Sequence, residues 1–185
     1  MNTEHSSPLY AKNLTLGYDK KVVASGLSVS VPEGKLTVII GPNACGKSTL
    51  LRTLSRLMPP QSGAVFLDGK LIGNYGTRDV AKRLGLLPQS STAPGDISVA
   101  DLVARGRYPH QRLFRRWTAQ DTLAVNEAMR ATGVDALAES TVNALSGGQR
   151  QRVWIAMVLA QQTPLLLLDE PTTWLDIAHQ IDLME

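Results

Sequence analysis

The apolar run 36–40 passes directly into Gly41-Pro42-Asn43-Ala44-Cys45-Gly46-Lys47-Ser48, and the residues that follow, Thr49 to Leu57, are helical in pattern. A strand, a glycine-bounded loop and a helix in that order leave few choices of fold. Gly41 and Gly46 let successive backbone N–H groups turn inward around an anion, Lys47 adds a fixed positive charge, and the Ser48 hydroxyl can hold magnesium. The helix start points the positive end of its dipole at the same place. The spacing G-x-x-x-x-G-K-[ST] therefore predicts a cradle for the phosphates of a nucleoside triphosphate. A thiol such as Cys45, beside a lysine and a helix start, can react readily. The loop needs only its backbone N–H, and that reading is preferred.

The rest of the chain predicts an α/β fold. Leu27 to Val31 alternates strictly, and Leu14 with Leu16 repeats the pattern, so the N-terminal part is expected to form an antiparallel β layer. The runs 36–40 and 165–168 are continuously apolar, as strands covered on both faces of a parallel sheet are, and they are expected to be core strands. Ser62-Gly63, Ala64 to Leu67 and Asp68-Gly69 signal a hairpin, and Leu84 to Leu87 a further short strand. Val99 to Arg105 and Ala119 to Ala131 read as helices, the second capped by Thr118 with Asp121 and stopped at Gly133. Residues 1–185 are thus expected to be a single domain, with 1–8 a flexible tail and 96–143 a helical subdomain.

Composition narrows the class. At 43% hydrophobic over 185 residues a buried core is affordable. Leu165 to Leu168 is the longest aliphatic run, well below the ~20 residues of a membrane span, and Met1 to Pro8 lacks the apolar stretch of a signal peptide, so a cytoplasmic chain is expected. Cys45 is the only cysteine, which excludes an internal disulfide framework. The net charge is +3, with a run of arginines, Arg105, Arg107, Arg112, Arg115 and Arg116, expected at a solvated, headgroup-facing or partner-facing surface rather than on nucleic acid.

Two further motifs carry chemistry. Leu165 to Leu168 ends in Asp169-Glu170, which delivers two carboxylates to the carboxyl edge of a sheet, where α/β ligand sites form. Asp169 can bind magnesium, and Glu170 can polarise an attacking water as general base. Leu145-Ser146-Gly147-Gly148-Gln149 precedes the helical run Arg150 to Gln161 and offers a second anion site at a helix start. One chain has no use for two γ-phosphate sites. The second is read as serving the nucleotide of a neighbouring copy, in a head-to-tail dimer with ATP at the interface.

Together these residues resemble the nucleotide-binding subunits of ABC transporters, from Leu9 to the end of the chain. Gly41 to Thr49 is similar to that family's Walker A motif, Leu165 to Glu170 to its Walker B, and Leu145 to Gln149 to its signature, which contacts ATP across the dimer. The resemblance implies a P-loop core of ABC type with an N-terminal antiparallel β layer and a helical subdomain. It implies ATP and magnesium as cofactors. The nucleotide would be held by Tyr18, where the family stacks an aromatic ring on adenine, by Gly41, Pro42, Asn43, Ala44, Cys45, Gly46, Lys47, Ser48 and Thr49, and across the dimer by Ser146, Gly147, Gly148 and Gln149. Magnesium would be held by Ser48, Gln89 and Asp169, and catalysis would rest on Glu170 and Gln89. Thr173 to Asp176 resembles the loop along the dimer seam.

Within the family, the phosphate loop, the run Ala104 to His110 and Trp174 look like ATPases of ferric-siderophore importers, with haem and cobalamin importers as relatives. That implies a second copy and an inner-membrane permease as partners, a periplasmic binding protein indirectly, no nucleic acid, and a place at the cytoplasmic face of the membrane. The family's switch histidine lies on a strand well beyond the Walker B carboxylates, and His179 comes too early to be it. Ile177, Ile181 and Met184 keep helical spacing to Glu185 without a stop signal. A chain truncated at its C-terminal strands, with slow turnover, is therefore expected.

Overall fold

A computed structural model describes residues 7–18, 21–89, 92–111 and 117–169, which fall into two compact units, 1–80 and 81–185. The first is built on β1 (Leu9–Tyr18), β2 (Lys21–Val31), β3 (Ser62–Leu67) and β4 (Lys70–Leu71), with the helix α1 (Lys47–Leu54) between β2 and β3. The strands form one antiparallel sheet in the order β2-β1-β3-β4. The expected β layer and the hairpin at Asp68-Gly69 are both there, the two turn residues having φ of 49° and 75°, the left-handed pair that matches strand twist. Leu9, Leu14 and Leu16 are fully buried with Leu54 and Leu67. Each such side chain contributes about 2 kcal/mol by leaving water. Tyr10 stacks on Phe66 across the β1–β3 pair, 4.7 Å between ring centroids.

One expectation fails in this unit. Residues 36–40 form no strand, and Leu36 and Ile40 are 89% and 90% exposed. A parallel strand exists only where a neighbour supplies its hydrogen-bond ladder. Among the described residues none pairs with this run, so its apolar composition has nothing to be buried against.

The second unit, beginning within the short helix α2 (Thr77–Ala81), contains β5 (Leu84–Leu87), α3 (Val99–Ala104), α4 (Ala119–Ala131), α5 (Gly147–Ala160) and β6 (Leu165–Leu168). β5 and β6 pair in parallel, Leu84 with Leu165 through Leu87 with Leu168, as continuous apolar runs suggest. Val99 and Val103 of α3, Ala128 and Met129 of α4 and Val153 and Ala156 of α5 share one core. The Thr118 cap of α4 is a full capping box with Asp121. The helix ends at Gly133 (φ 62°), where the Val134 N–H donates to Met129 C=O and the Gly133 N–H to Arg130 C=O, closing its last carbonyls. After α3 the chain tightens into a 3₁₀ turn, Arg105–His110. No described helix is long and apolar enough to cross a membrane.

Arg107 does not join the surface expected of its neighbours. It is 4% exposed, and its Nε donates to Asp121 Oδ1 at 3.0 Å. Arg105 is exposed as expected, while Arg112, Arg115 and Arg116 lie outside the described residues.

Candidate functional site

In the first unit the phosphate-loop candidates sit where β2 has ended and α1 begins. Gly46 is the N-cap of α1 with φ 101°, and Ala44 before it has φ 63°. Only glycine holds the first conformation without strain, and a Cβ at Gly46 would also lie 2.7 Å from Val23 Cγ1. No side chain caps this helix and its first turn holds no acid. Backbone donors at a helix start without a side-chain cap suit an anion. Lys47 Nζ donates to the carbonyls of Gly41 and Pro42, both at 2.9 Å, which keeps its charge folded over the loop. The Cys45 N–H donates to Pro42 C=O at 3.3 Å, closing the turn. Pro42, Asn43, Ala44 and Cys45 are exposed, Gly41, Gly46, Lys47 and Ser48 half-buried, and Thr49 buried.

Tyr18, the last residue of β1, is 47% exposed, and its hydroxyl lies 3.2 Å from Thr49 Oγ1 in the first turn of α1. The residue proposed for the base and the loop proposed for the phosphates are therefore joined by a side-chain contact.

In the second unit the parallel register sets two candidates at one sheet edge. Asp169 follows β6 directly and extends the ladder, its N–H donating to Leu87 C=O at 3.0 Å, while Gln89 lies just past the end of β5. Asp169 is buried and Gln89 exposed. A carboxylate at the carboxyl edge of a parallel sheet suits a hard divalent cation. Among the described residues there is no cluster of three or more His, Cys, Asp or Glu that could hold a metal by itself, so any cation here would be completed by other oxygens. Glu170, the seam loop Thr173 to Asp176 and His179 lie outside the described residues.

The second helix start differs from the first. Ser146 caps α5, its Oγ accepting from the Gln149 N–H at 3.3 Å while Gln149 Oε1 accepts from the Ser146 N–H at 3.0 Å. This box starts the helix at Gly147 rather than at Arg150, overriding the poor helix propensity of two glycines. Gly147 and Gly148 are exposed with open space where a Cβ would be. As in α1, the first turn holds no acid, whereas α3 and α4 carry Asp101 and Asp121 there.

The sequence alone missed what holds the far end of α5. Arg107 Nη1 donates to Ala160 C=O at 2.9 Å and to Gln162 Oε1 at 3.0 Å, and His110 Nε2 lies 2.8 Å from Gln161 C=O. Gln161 Nε2 in turn donates to the carbonyls of Ala81 and Leu84. Gly106 allows the approach, since a Cβ there would collide with Met157 C=O. Burial pushes the Asp121 carboxyl up, but hydrogen bonds from the Thr118 hydroxyl and Arg107 outweigh it and leave it below its ordinary value. The Arg-Gly-Arg-Tyr-Pro-His spacing signalled this clamp only in hindsight, because a positive charge beside a helix's last carbonyls looks like any surface arginine.

Residues 24–173 match the family model described as ABC transporter. The chain is 63% identical over 183 residues to the ferric enterobactin transport ATP-binding protein of Escherichia coli (strain K12), a match covering 99% of this chain and 68% of that protein. It is 53% identical over 175 residues to the achromobactin transport ATP-binding protein of Dickeya dadantii (strain 3937), covering 95% and 65%. In structure it is similar to cbiO1 of Clostridium perfringens, part of the ABC transporter complex cbiONQ, with a TM-score of 0.77, 26% identity, and coverage of 97% and 72%. The chain thus spans about two thirds of the length of the curated relatives it matches.

Proposed function

The chain belongs to the ABC transporter family, and from that premise we propose that it binds ATP with magnesium and hydrolyses it to drive import of an iron-siderophore complex. The observation that carries the reading is the uncapped, acid-free start of α1 with the Lys47 ammonium folded over it. In this reading the loop 41–49, through its backbone N–H groups other than at Pro42, which has none, and Lys47 hold the phosphates, and the Tyr18 ring carries the base. Magnesium would neutralise charge between the β- and γ-phosphates. Ser48, Gln89 and Asp169 are the oxygen donors that the resemblance assigns to it. Glu170 orients and deprotonates the attacking water, a role taken from the resemblance. Ser146, Gly147, Gly148 and Gln149 serve the nucleotide of a second copy. The iron-siderophore cargo follows from relatives named for ferric enterobactin and achromobactin transport, and with it an inner-membrane permease as partner and a place at the cytoplasmic membrane face.

Two measurements test this. Titration with ATP and magnesium should saturate the unsubstituted chain, and Lys47→Ala should weaken binding about 100-fold, the worth of a charge-assisted contact to phosphate. Equal affinity in both would sink the phosphate-loop reading. Cells lacking their own ferric-siderophore ATP-binding subunit should regain iron-siderophore uptake when supplied with the chain joined to the C-terminal third of its E. coli relative. Rescue of haem or cobalamin uptake instead would overturn the cargo.

A further inference from the structure

α5 is attached to β5 at two places. Val158 and Ile155 share an apolar cluster with Leu87, and Gly85 admits the helix, since a Cβ there would lie 2.9 Å from Val158 Cγ1. The other place is Gln161, the residue that closes α5. Its Nε2 donates to the carbonyls of Ala81, the last residue of α2, and Leu84, the first of β5. An amide nitrogen carries two hydrogens, and both are used here. The Gln161 carbonyl meets His110 Nε2 at 2.8 Å, and because a carbonyl only accepts, that ring nitrogen is the donor. One residue therefore joins the helix, the strand and the 3₁₀ turn, and it stands apart from every residue assigned to the nucleotide.

Two attachments fix a helix where one would leave a pivot. About 16 Å of helix, at ~1.5 Å per residue, separates Val158 from Gly147. A swing of about 10° around the apolar contact would carry the start of α5 by about 3 Å, as much as a whole hydrogen-bond length. We propose that Gln161 is a positioning residue: its carboxamide sets the angle of α5 on β5, and so holds the donors of Gly147 and Gly148 where the nucleotide of a second copy meets them. The proposal rests on the cross-copy reading above. It gives Gln161 no contact with the ligand, since the residue acts from the opposite end of the helix.

The test uses the whole chain with ATP and magnesium, with calorimetry for ATP affinity and sedimentation velocity for ATP-driven association of two copies. Gln161→Glu keeps the shape but turns an acceptor oxygen towards two carbonyls. It should weaken association about tenfold, the lower end of what a charge-assisted hydrogen bond contributes. ATP affinity should change by less than about twofold, because the phosphate loop belongs to the other unit and distant sites act independently. Gln161→Lys returns a donor to the same carbonyls and should recover most of the association, which a general loss of packing would not allow. If Gln161→Glu does not fold, Gln161→Leu removes the donors without adding a charge and carries the same expectation. Unchanged association, a Gln161→Lys variant as impaired as Gln161→Glu, or equal losses of ATP affinity and association would each overturn the positioning role. An unsubstituted chain that binds ATP without associating would overturn the cross-copy reading and the positioning role with it, whereas one that binds no ATP would overturn the nucleotide reading itself.

Discussion

The helices α1 and α5 both start on glycine-rich turns, both lack an acid in their first turn, and both were expected to face an anion, yet they are finished in opposite ways. α1 begins at a left-handed glycine with no side-chain cap. α5 begins at a serine whose capping box claims one of its own donors, and its last carbonyls are claimed by Arg107 and His110. A helix start without a side-chain cap leaves room for a ligand to serve as one. A helix satisfied at both ends is stable alone and can offer only the donors left over, here those at Gly147 and Gly148. The first arrangement suits tight capture within one chain, and the second suits a contact that forms and breaks.

The contrast can be broken at the tied helix first. Arg107→Ala leaves Asp121 buried without its cation and frees the carbonyl of Ala160, and it should cost about 3–5 kcal/mol in denaturant unfolding. Acid sharpens the same point. Because the folded Asp121 carboxyl lies below its ordinary value, its contribution is fully present above about pH 4, the unfolded value, and is lost as pH falls through the folded one. Asp121→Asn should remove that part of the acid limb in a pH series of thermal melts; an unchanged limb would mean the pair adds nothing.

The open helix breaks less severely in stability and more in binding. Gly46→Ala forces a Cβ into a left-handed conformation and towards Val23, at about 1–2 kcal/mol. It should lower ATP affinity roughly tenfold if the strain appears in the loop that must close around phosphate. An unchanged affinity would show that the loop tolerates another backbone path.

The smallest effect tests the leftover donors. Gln149→Glu keeps the capping box and adds a negative charge at the start of α5, which should raise stability by about 0.3–1 kcal/mol. In the nucleotide reading it should also weaken ATP-driven association of two copies in sedimentation velocity. Stabilisation without that penalty would argue against an anion at this helix start.

Much of this was legible in the residues, and the gaps have a common cause. Local signals carried through: the Thr118 cap, the Gly133 stop, the hairpin at Asp68-Gly69 and the alternation of β2 depend on neighbours a few positions away. The left-handed glycine turn that leads into α1 is local in the same way. The run 36–40 failed because a strand is a relation between segments, and apolar composition states only half of it. Arg107 failed for the same reason from the other side, since its three partners, Asp121, Ala160 and Gln162, meet only after the helices have packed. Thr49 was read by its place in a motif, while its contact with Tyr18 depends on how β1 lies beside α1.

The pairing of Leu84 with Leu165 has one more consequence, for the order of events on the ribosome. Every residue of α3, α4 and α5 lies between β5 and β6, so the parallel ladder closes a loop that contains the whole helical bundle. Closing a long loop is entropically costly until its interior is compact. The bundle, whose contacts are nearer in sequence, is therefore expected to condense first, and β5 must wait unpaired until Leu165 to Leu168 emerge. During that interval Leu84 to Leu87 is an apolar strand with no neighbour, which makes translation between the two strands the period when this chain is most exposed to association with other nascent chains.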